Sequence, residues 1–78
     1  MNKMKNWLKF EYGTYINGIE WKTEGMVYID PAAISSVMEI SRHFPNATGC
    51  CIYLGYSGKQ YAVRESISAV MAEIQSAL

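Results

Sequence analysis

Cys50-Cys51-Ile52-Tyr53-Leu54-Gly55-Tyr56-Ser57-Gly58-Lys59-Gln60-Tyr61-Ala62-Val63-Arg64 runs directly into Glu65-Ser66-Ile67-Ser68-Ala69-Val70-Met71-Ala72-Glu73-Ile74-Gln75-Ser76-Ala77-Leu78. The first part reads as a β-hairpin and the second as an amphipathic helix. Ser57-Gly58 is a two-residue turn signal between two β-rich stretches. A loop of that length pairs Tyr56 with Lys59, Leu54 with Tyr61 and Ile52 with Val63. Side chains alternate between faces along a strand. Cys50, Ile52, Leu54, Tyr56, Tyr61 and Val63 then share an apolar face. Cys51, Tyr53, Gly55, Gln60, Ala62 and Arg64 share the other. A one-residue slip would set the apolar face against Gln60 and Arg64, so burial fixes the parity.

Ser66 suits a helix N-cap, because its hydroxyl can accept from an unpaired N–H of the first turn. Ile67, Val70, Met71, Ile74 and Leu78 then form one helical stripe, expected to pack on the sheet. Ala69, Ala72 and Ala77 add helix propensity.

Upstream, Leu8, Phe10 and Tyr12 alternate with Trp7, Lys9 and Glu11, which predicts a strand over 7–12 that Gly13 ends or bends. Asn17-Gly18 is a strong hairpin-turn dipeptide between Tyr15-Ile16 and Ile19-Glu20-Trp21. Lys22-Thr23-Glu24-Gly25 reads as a polar loop, and Met26–Ile29 as a further short strand. Asp30-Pro31 predicts a single capped turn, since Asp caps and Pro suits the first helical position. Residues 37–42 fit both helical and strand spacing, and periodicity does not choose between them. Phe44-Pro45-Asn46-Ala47-Thr48-Gly49 reads as a loop. The layout is one α+β domain over residues 1–78: a small antiparallel sheet of about four to five strands with one C-terminal amphipathic helix on one face.

Composition narrows the function classes. Seven basic and seven acidic residues leave no net charge, which argues against the strongly basic surface that non-specific nucleic-acid binding needs. Cys50 and Cys51 are adjacent, point to opposite faces of a strand, and have neither disulfide geometry nor metal-ligand spacing. They read as strand residues in a reducing compartment. No apolar run suggests a signal peptide or a membrane span, so the expected location is cytoplasmic, with no membrane and no cofactor. Lys3, Lys5 and Lys9 make the start locally basic. His43 is the only histidine and has no orienting partner in any motif, so it reads as a solvated strand-end residue. Asp30 reads as a cap, and Glu65 as a carboxylate favoured near a helix N-terminus. No phosphate-binding glycine motif occurs. No nucleophile or metal set is recognisable, and the chain is read as non-enzymatic.

A single helix covers one face of a sheet. The other face would show Cys51, Tyr53, Ala62 and Arg64, joined by Trp7 or Trp21. Contiguous apolar and aromatic surface marks an interface. The candidate interface residues are therefore Trp7, Trp21, Cys51, Tyr53 and Arg64. The expected function is a protein-binding module or adaptor, and the exposed face predicts self-association into a homo-oligomer. A base-stacking nucleic-acid domain using Lys9, Lys22, Lys59 and Arg64 is the second reading. A phage or mobile-element inhibitor of a host complex is the third.

Tyr28-Ile29-Asp30-Pro31, Ile34, Val37-Met38-Glu39, Phe44-Pro45-Asn46, Ile52-Tyr53-Leu54, Ser57-Gly58-Lys59 and Tyr61-Ala62-Val63-Arg64-Glu65-Ser66, with Val70 and Ile74, together resemble the small flagellar FlbD/SwrD-type family. The resemblance covers roughly residues 26–75 and rests on turns, caps and core positions, which carry fold more than function. It implies that residues 37–42 form a strand. The longer Ile19–Met26 segment and the strand-like 7–12 stretch depart from that family's pattern.

Overall fold

Apolar alternation dictates most of the strands. The structure, a computed structural model, describes residues 6–16, 20–40, 48–55 and 57–78. The Asn17-Gly18 turn, His43, the loop from Phe44 to Ala47, Tyr56, Lys3 and Lys5 lie outside those residues. Five strands form one antiparallel sheet: β1 (Leu8–Ile16), β2 (Glu20–Ile29), β3 (Ile34–Glu39), β4 (Cys50–Leu54) and β5 (Gln60–Val63). Their order is β2-β1-β5-β4-β3. One helix, α1 (Ile67–Ala77), follows β5, and the Ser66 hydroxyl caps it by accepting from the Ala69 N–H at 3.2 Å. This is the α+β architecture that the sequence pattern implies.

Several local expectations change. β1 runs past Gly13 to Ile16, and 22–25 is strand rather than loop, because the two long strands pair along their whole length. The pairing shifts between Tyr12 and Gly13: Tyr12 lies opposite Gly25, and Gly13 opposite Thr23. Glu24 is the extra residue, so the charged stretch forms a β-bulge. The ambiguous 37–42 segment is strand through Glu39. The Asp30-Pro31 turn is as expected: the Asp30 carboxylate accepts from the Ala32 N–H at 3.0 Å, opening a 3-10 turn over Pro31–Ala33.

The β4–β5 register also differs. Ile52 pairs with Tyr61 and Cys50 with Val63, two residues away from a two-residue hairpin. Leu54 N–H donates to Lys59 at 2.9 Å, and Gly58 N–H closes back on the Leu54 carbonyl at 3.2 Å, so the hairpin closes at Leu54 and Lys59 rather than at a Ser57-Gly58 turn. The shift is even, so the described side chains of the two strands keep their expected faces.

The connection from β2 to β3 shapes the sheet. Ile29 ends the strand at one edge, and Ile34, five residues on, opens the strand at the other. Five residues reach at most about 18 Å fully extended. Three of these are wound into a turn. A flat five-stranded sheet holds its outer strands about 19 Å apart. The sheet therefore curls until its edges converge at this end.

Inside the curl lies one cluster: Phe10, Ile29, Cys50, Ile52, Val63, Val70 and Ile74, with Leu8, Tyr12, Val27, Ile34, Val37, Leu54, Tyr61 and Ile67 packed around it. Tyr12 and Tyr61 meet edge to face at 5.2 Å. α1 contributes Val70 and Ile74 as its buried line, whereas Met71 and Leu78 of the expected stripe are exposed. Curvature explains this: a concave sheet grips a narrower band of helix than a flat one.

Candidate interaction face

The outer, convex side of the sheet carries the residues singled out as an interface, with one exception. Residues that alternate with the core positions point outward. On β1 and β2 these are Lys9 opposite Tyr28, Glu11 opposite Met26, and Tyr15 opposite Trp21. On β3, β4 and β5 they are Met38 opposite Cys51, Ser36 opposite Tyr53, Cys51 opposite Ala62, and Tyr53 opposite Gln60. Arg64 continues the outward parity just beyond β5.

Trp21 is the best-braced of these side chains. Its indole Nε1–H donates to Thr23 Oγ1 at 2.9 Å, and Thr23 Oγ1 donates to Glu11 at 2.8 Å. The Tyr15 ring meets it edge on at 5.1 Å, and the Arg64 guanidinium lies over it at 6.0 Å. Tyr15 is held in turn, since its hydroxyl bonds the Thr48 backbone and accepts from the Thr48 N–H at 3.1 Å. Trp21 also crosses Gly13: a Cβ there would sit 2.9 Å from the indole Cζ2. A Cβ at Gly13 would also run into the Lys22 carbonyl oxygen, so this mid-strand glycine admits the β2 backbone first and the indole second. Farther along, Lys9 Nζ lies 5.8 Å from the centre of the Tyr28 ring.

The structure thus brings Trp21 and Arg64 into contact and places Cys51 and Tyr53 on the same side of the sheet. Trp7 stands apart. It lines a shallow groove of about 410 Å³ with Asn6, Leu8, Ala72, Glu73, Ser76 and Ala77, against the helix. Met26 and Tyr28, each about half exposed at 50% and 51%, belong to the outer face but escape the sequence reading. The Glu24 bulge hides them, because it breaks the alternation that would otherwise join Trp21 and Thr23 to Met26 and Tyr28. Of the cations assigned to phosphate contact, Lys9 and Arg64 share this face, whereas Lys22 alternates with Trp21 and Thr23 and points the other way.

The titratable groups show little poised chemistry. Burial, then the neighbouring Cys51, Glu65 and Glu39, push the Cys50 thiol up to about 11, and burial raises Cys51. Both thiols are free and are held in the unreactive protonated form. Among the described residues, no group of three or more His, Cys, Asp or Glu side chains is placed to hold a metal ion.

Glu65 is pushed up to about 7, first by its hydrogen bond with Glu73, then by burial and by repulsion from that carboxylate. Its folded-state value lies above its ordinary one, so the shared proton stabilises the fold fully below about pH 4.5, the unperturbed value. That contribution declines as pH rises and is gone above about pH 7. Thermal melts of the wild type should fall across this window. Glu73→Gln, which removes the repulsion, should flatten the slope. Equal slopes in the two proteins would show that the carboxylates do not share a proton.

Compared with protein-family models, with curated proteins and with solved structures, the chain matches none. Among the described residues, no helix is long and apolar enough to cross a membrane.

Proposed function

We propose that this chain is a non-catalytic protein-binding module acting through the outer face of its sheet. One observation carries the reading: a braced tryptophan, ringed by Tyr15, Thr23 and Arg64, stands on a surface that also exposes Met26 and Tyr28. Interface hot spots are enriched in Trp, Tyr and Arg. A side chain fixed before binding loses less entropy on association. The convex curl offers a second copy no broad flat surface, so a separate protein partner ranks ahead of self-association. The strand at Ile34–Glu39 is consistent with the fold that the FlbD-type resemblance implies, and no flagellar role is drawn from it.

The test is capture from the native host with and without nuclease, comparing the wild type with Met26→Gln, which adds no charge opposite Glu11, and Tyr53→Ala. Met26 is half exposed, so its replacement should change stability by no more than about 0.5 kcal/mol. The expected result is a nuclease-resistant partner that both variants lose while remaining folded. Recovery of nucleic acid, with proteins lost on digestion, would favour the base-stacking reading instead. A partner retained by both variants would move the interface elsewhere.

A further inference from the structure

The sheet stays open, and its two edges are not alike. Among the described residues no pairing joins β2 to β3, so each of these strands has a free side. The β2 edge carries Glu20, Lys22 and Glu24, and the bulge at Glu24 breaks its row of main-chain groups. Charges and bulges guard an edge against strand addition. β3 is less guarded: Ile34-Ser35-Ser36-Val37-Met38-Glu39 holds a single charge and no proline. Its bulge lies at the start, between Ile34 and Ser36. Beyond it, Ser36, Val37, Met38 and Glu39 pair in step with Tyr53, Ile52, Cys51 and Cys50. The Ile40 N–H donates to the Gly49 carbonyl at 3.1 Å. Main-chain groups along an antiparallel strand alternate between its two sides. Met38 and Ser36 therefore also turn toward β4, whereas Val37 and Glu39 turn their N–H and C=O groups away from it. Among the described residues, nothing hydrogen-bonds to those outward groups.

We propose that a second copy of this chain adds to the β3 edge, the two β3 strands running antiparallel about a two-fold axis at Met38. The strand is self-complementary in that register. Val37 of each copy faces Glu39 of the other, and every outward N–H finds an outward C=O. The two Met38 side chains, on the outer side of the sheet, meet across the axis. An axis at Val37 would set Glu39 against the bulged Ser35, and an axis at Glu39 would set two carboxylates face to face, which is destabilising. With the axis at Met38 the two exposed Glu39 residues stand about 8 Å apart between Cα atoms, about one screening length at physiological salt. Such a contact is isologous and consumes the less guarded edge of each copy, so assembly stops at two. Strand addition needs no broad flat face and leaves Trp21, Met26 and Tyr28 free. It sets two outer faces side by side on one continuous sheet, where they can engage a partner bivalently.

So short a contact belongs with weak associations, and the test is sedimentation of the full chain from about 10 μM to about 1 mM. The expected mass rises with concentration from 8.8 kDa toward twice that value. The rise should come sooner at physiological than at low salt, because salt screens the two Glu39 carboxylates. Amide exchange reads the edge itself: the Val37 and Glu39 amides should exchange freely in dilute protein and become protected as the mass doubles. Met38→Lys places like charges opposite each other at the axis and should weaken association by about tenfold or more. Met26→Gln, on the other edge strand, should leave it unchanged. Circular dichroism confirms that both variants are folded. A monomer at every concentration, with both amides unprotected, would overturn the proposal. So would a dimer that Met26→Gln dissociates and Met38→Lys does not, since the copies would then meet elsewhere. Protection of the two amides by an unrelated Thr-Val repeat peptide, in a chain that stays monomeric alone, would give the edge to a foreign strand and overturn the second copy as its occupant. Partner capture tests the outer face separately, so either reading can fail while the other stands.

Discussion

Phe10→Ala should remove about 3–5 kcal/mol of the domain's stability, the largest loss expected of any single truncation here. Phe10 has no exposed surface and lies on β1, where the core side chains of β2, β4, β5 and α1 meet. Truncating a buried phenylalanine costs about 3–5 kcal/mol, the lost transfer energy plus the cavity left behind. At about 0.05–0.15 kcal/mol per residue, a chain of this length has a total stability of about 4–12 kcal/mol. The substitution therefore removes from a quarter to all of it. Phe10→Leu keeps most of the volume and should cost under about 1.5 kcal/mol if the core repacks. Urea titrations followed by circular dichroism measure both. A loss under about 1 kcal/mol for Phe10→Ala would contradict its central place in the core.

Gly49→Ala should be nearly as damaging, for a different reason. Gly49 has φ +110, and a Cβ there would run into the Val63 carbonyl oxygen and stand 3.0 Å from the Arg64 Cα. All the opposing atoms are backbone, so no side chain can swing away. The Gly49 carbonyl also accepts from the Ile40 N–H at 3.1 Å, so a shift of this residue loosens β3 as well. Strain of this kind costs about 1–3 kcal/mol before the clash is counted, and the expected total is about 3 kcal/mol or more. Gly58 supplies the control. Its φ is +71, and a Cβ there would meet nothing within 4 Å. Gly58→Ala should cost about 1 kcal/mol, the ordinary penalty for a left-handed residue with a side chain. Comparable losses at the two positions would mean that Gly49 does not approach β5 as closely as described.

Much of this architecture was legible in the sequence because the signals there are local and repeat. Alternation found the β4–β5 hairpin and its faces, Ser66 marked the helix start, and Asp30-Pro31 marked the turn. The errors fall where a local cue and a tertiary contact disagree. Gly13 reads as a breaker, yet it makes room for the Lys22 carbonyl and the Trp21 ring. Lys22-Thr23-Glu24-Gly25 reads as a polar loop, yet it pairs along β1, with Glu24 as the bulged residue. Met71 and Leu78 share a helical stripe with Val70 and Ile74, but the curl leaves them exposed. Nothing local encodes the curl, which follows from the short link between opposite edges of the sheet. The candidate face was partly legible. Cys51, Tyr53 and Arg64 were placed by parity and Trp21 was joined to them without it, whereas Trp7 lies against the helix, and Met26 and Tyr28 were hidden by the bulge.

The β4–β5 hairpin bears on how the chain finds its structure. A two-residue slip presents the same side chains to the core, so hydrophobic patterning cannot distinguish the native pairing from the slipped one. Early collapse can trap either. Selection is left to the ends of the hairpin: the 55–58 loop, which closes on the Leu54 carbonyl, and Gly49, which fits only against Val63. Chain-length changes in that loop are therefore a matter of folding fidelity. A deletion of two residues leaves the native pairing closed by the favoured two-residue connection and takes away the closing pair of the competing alignment, so its effect should show in refolding yield before it shows in the stability of molecules that fold correctly.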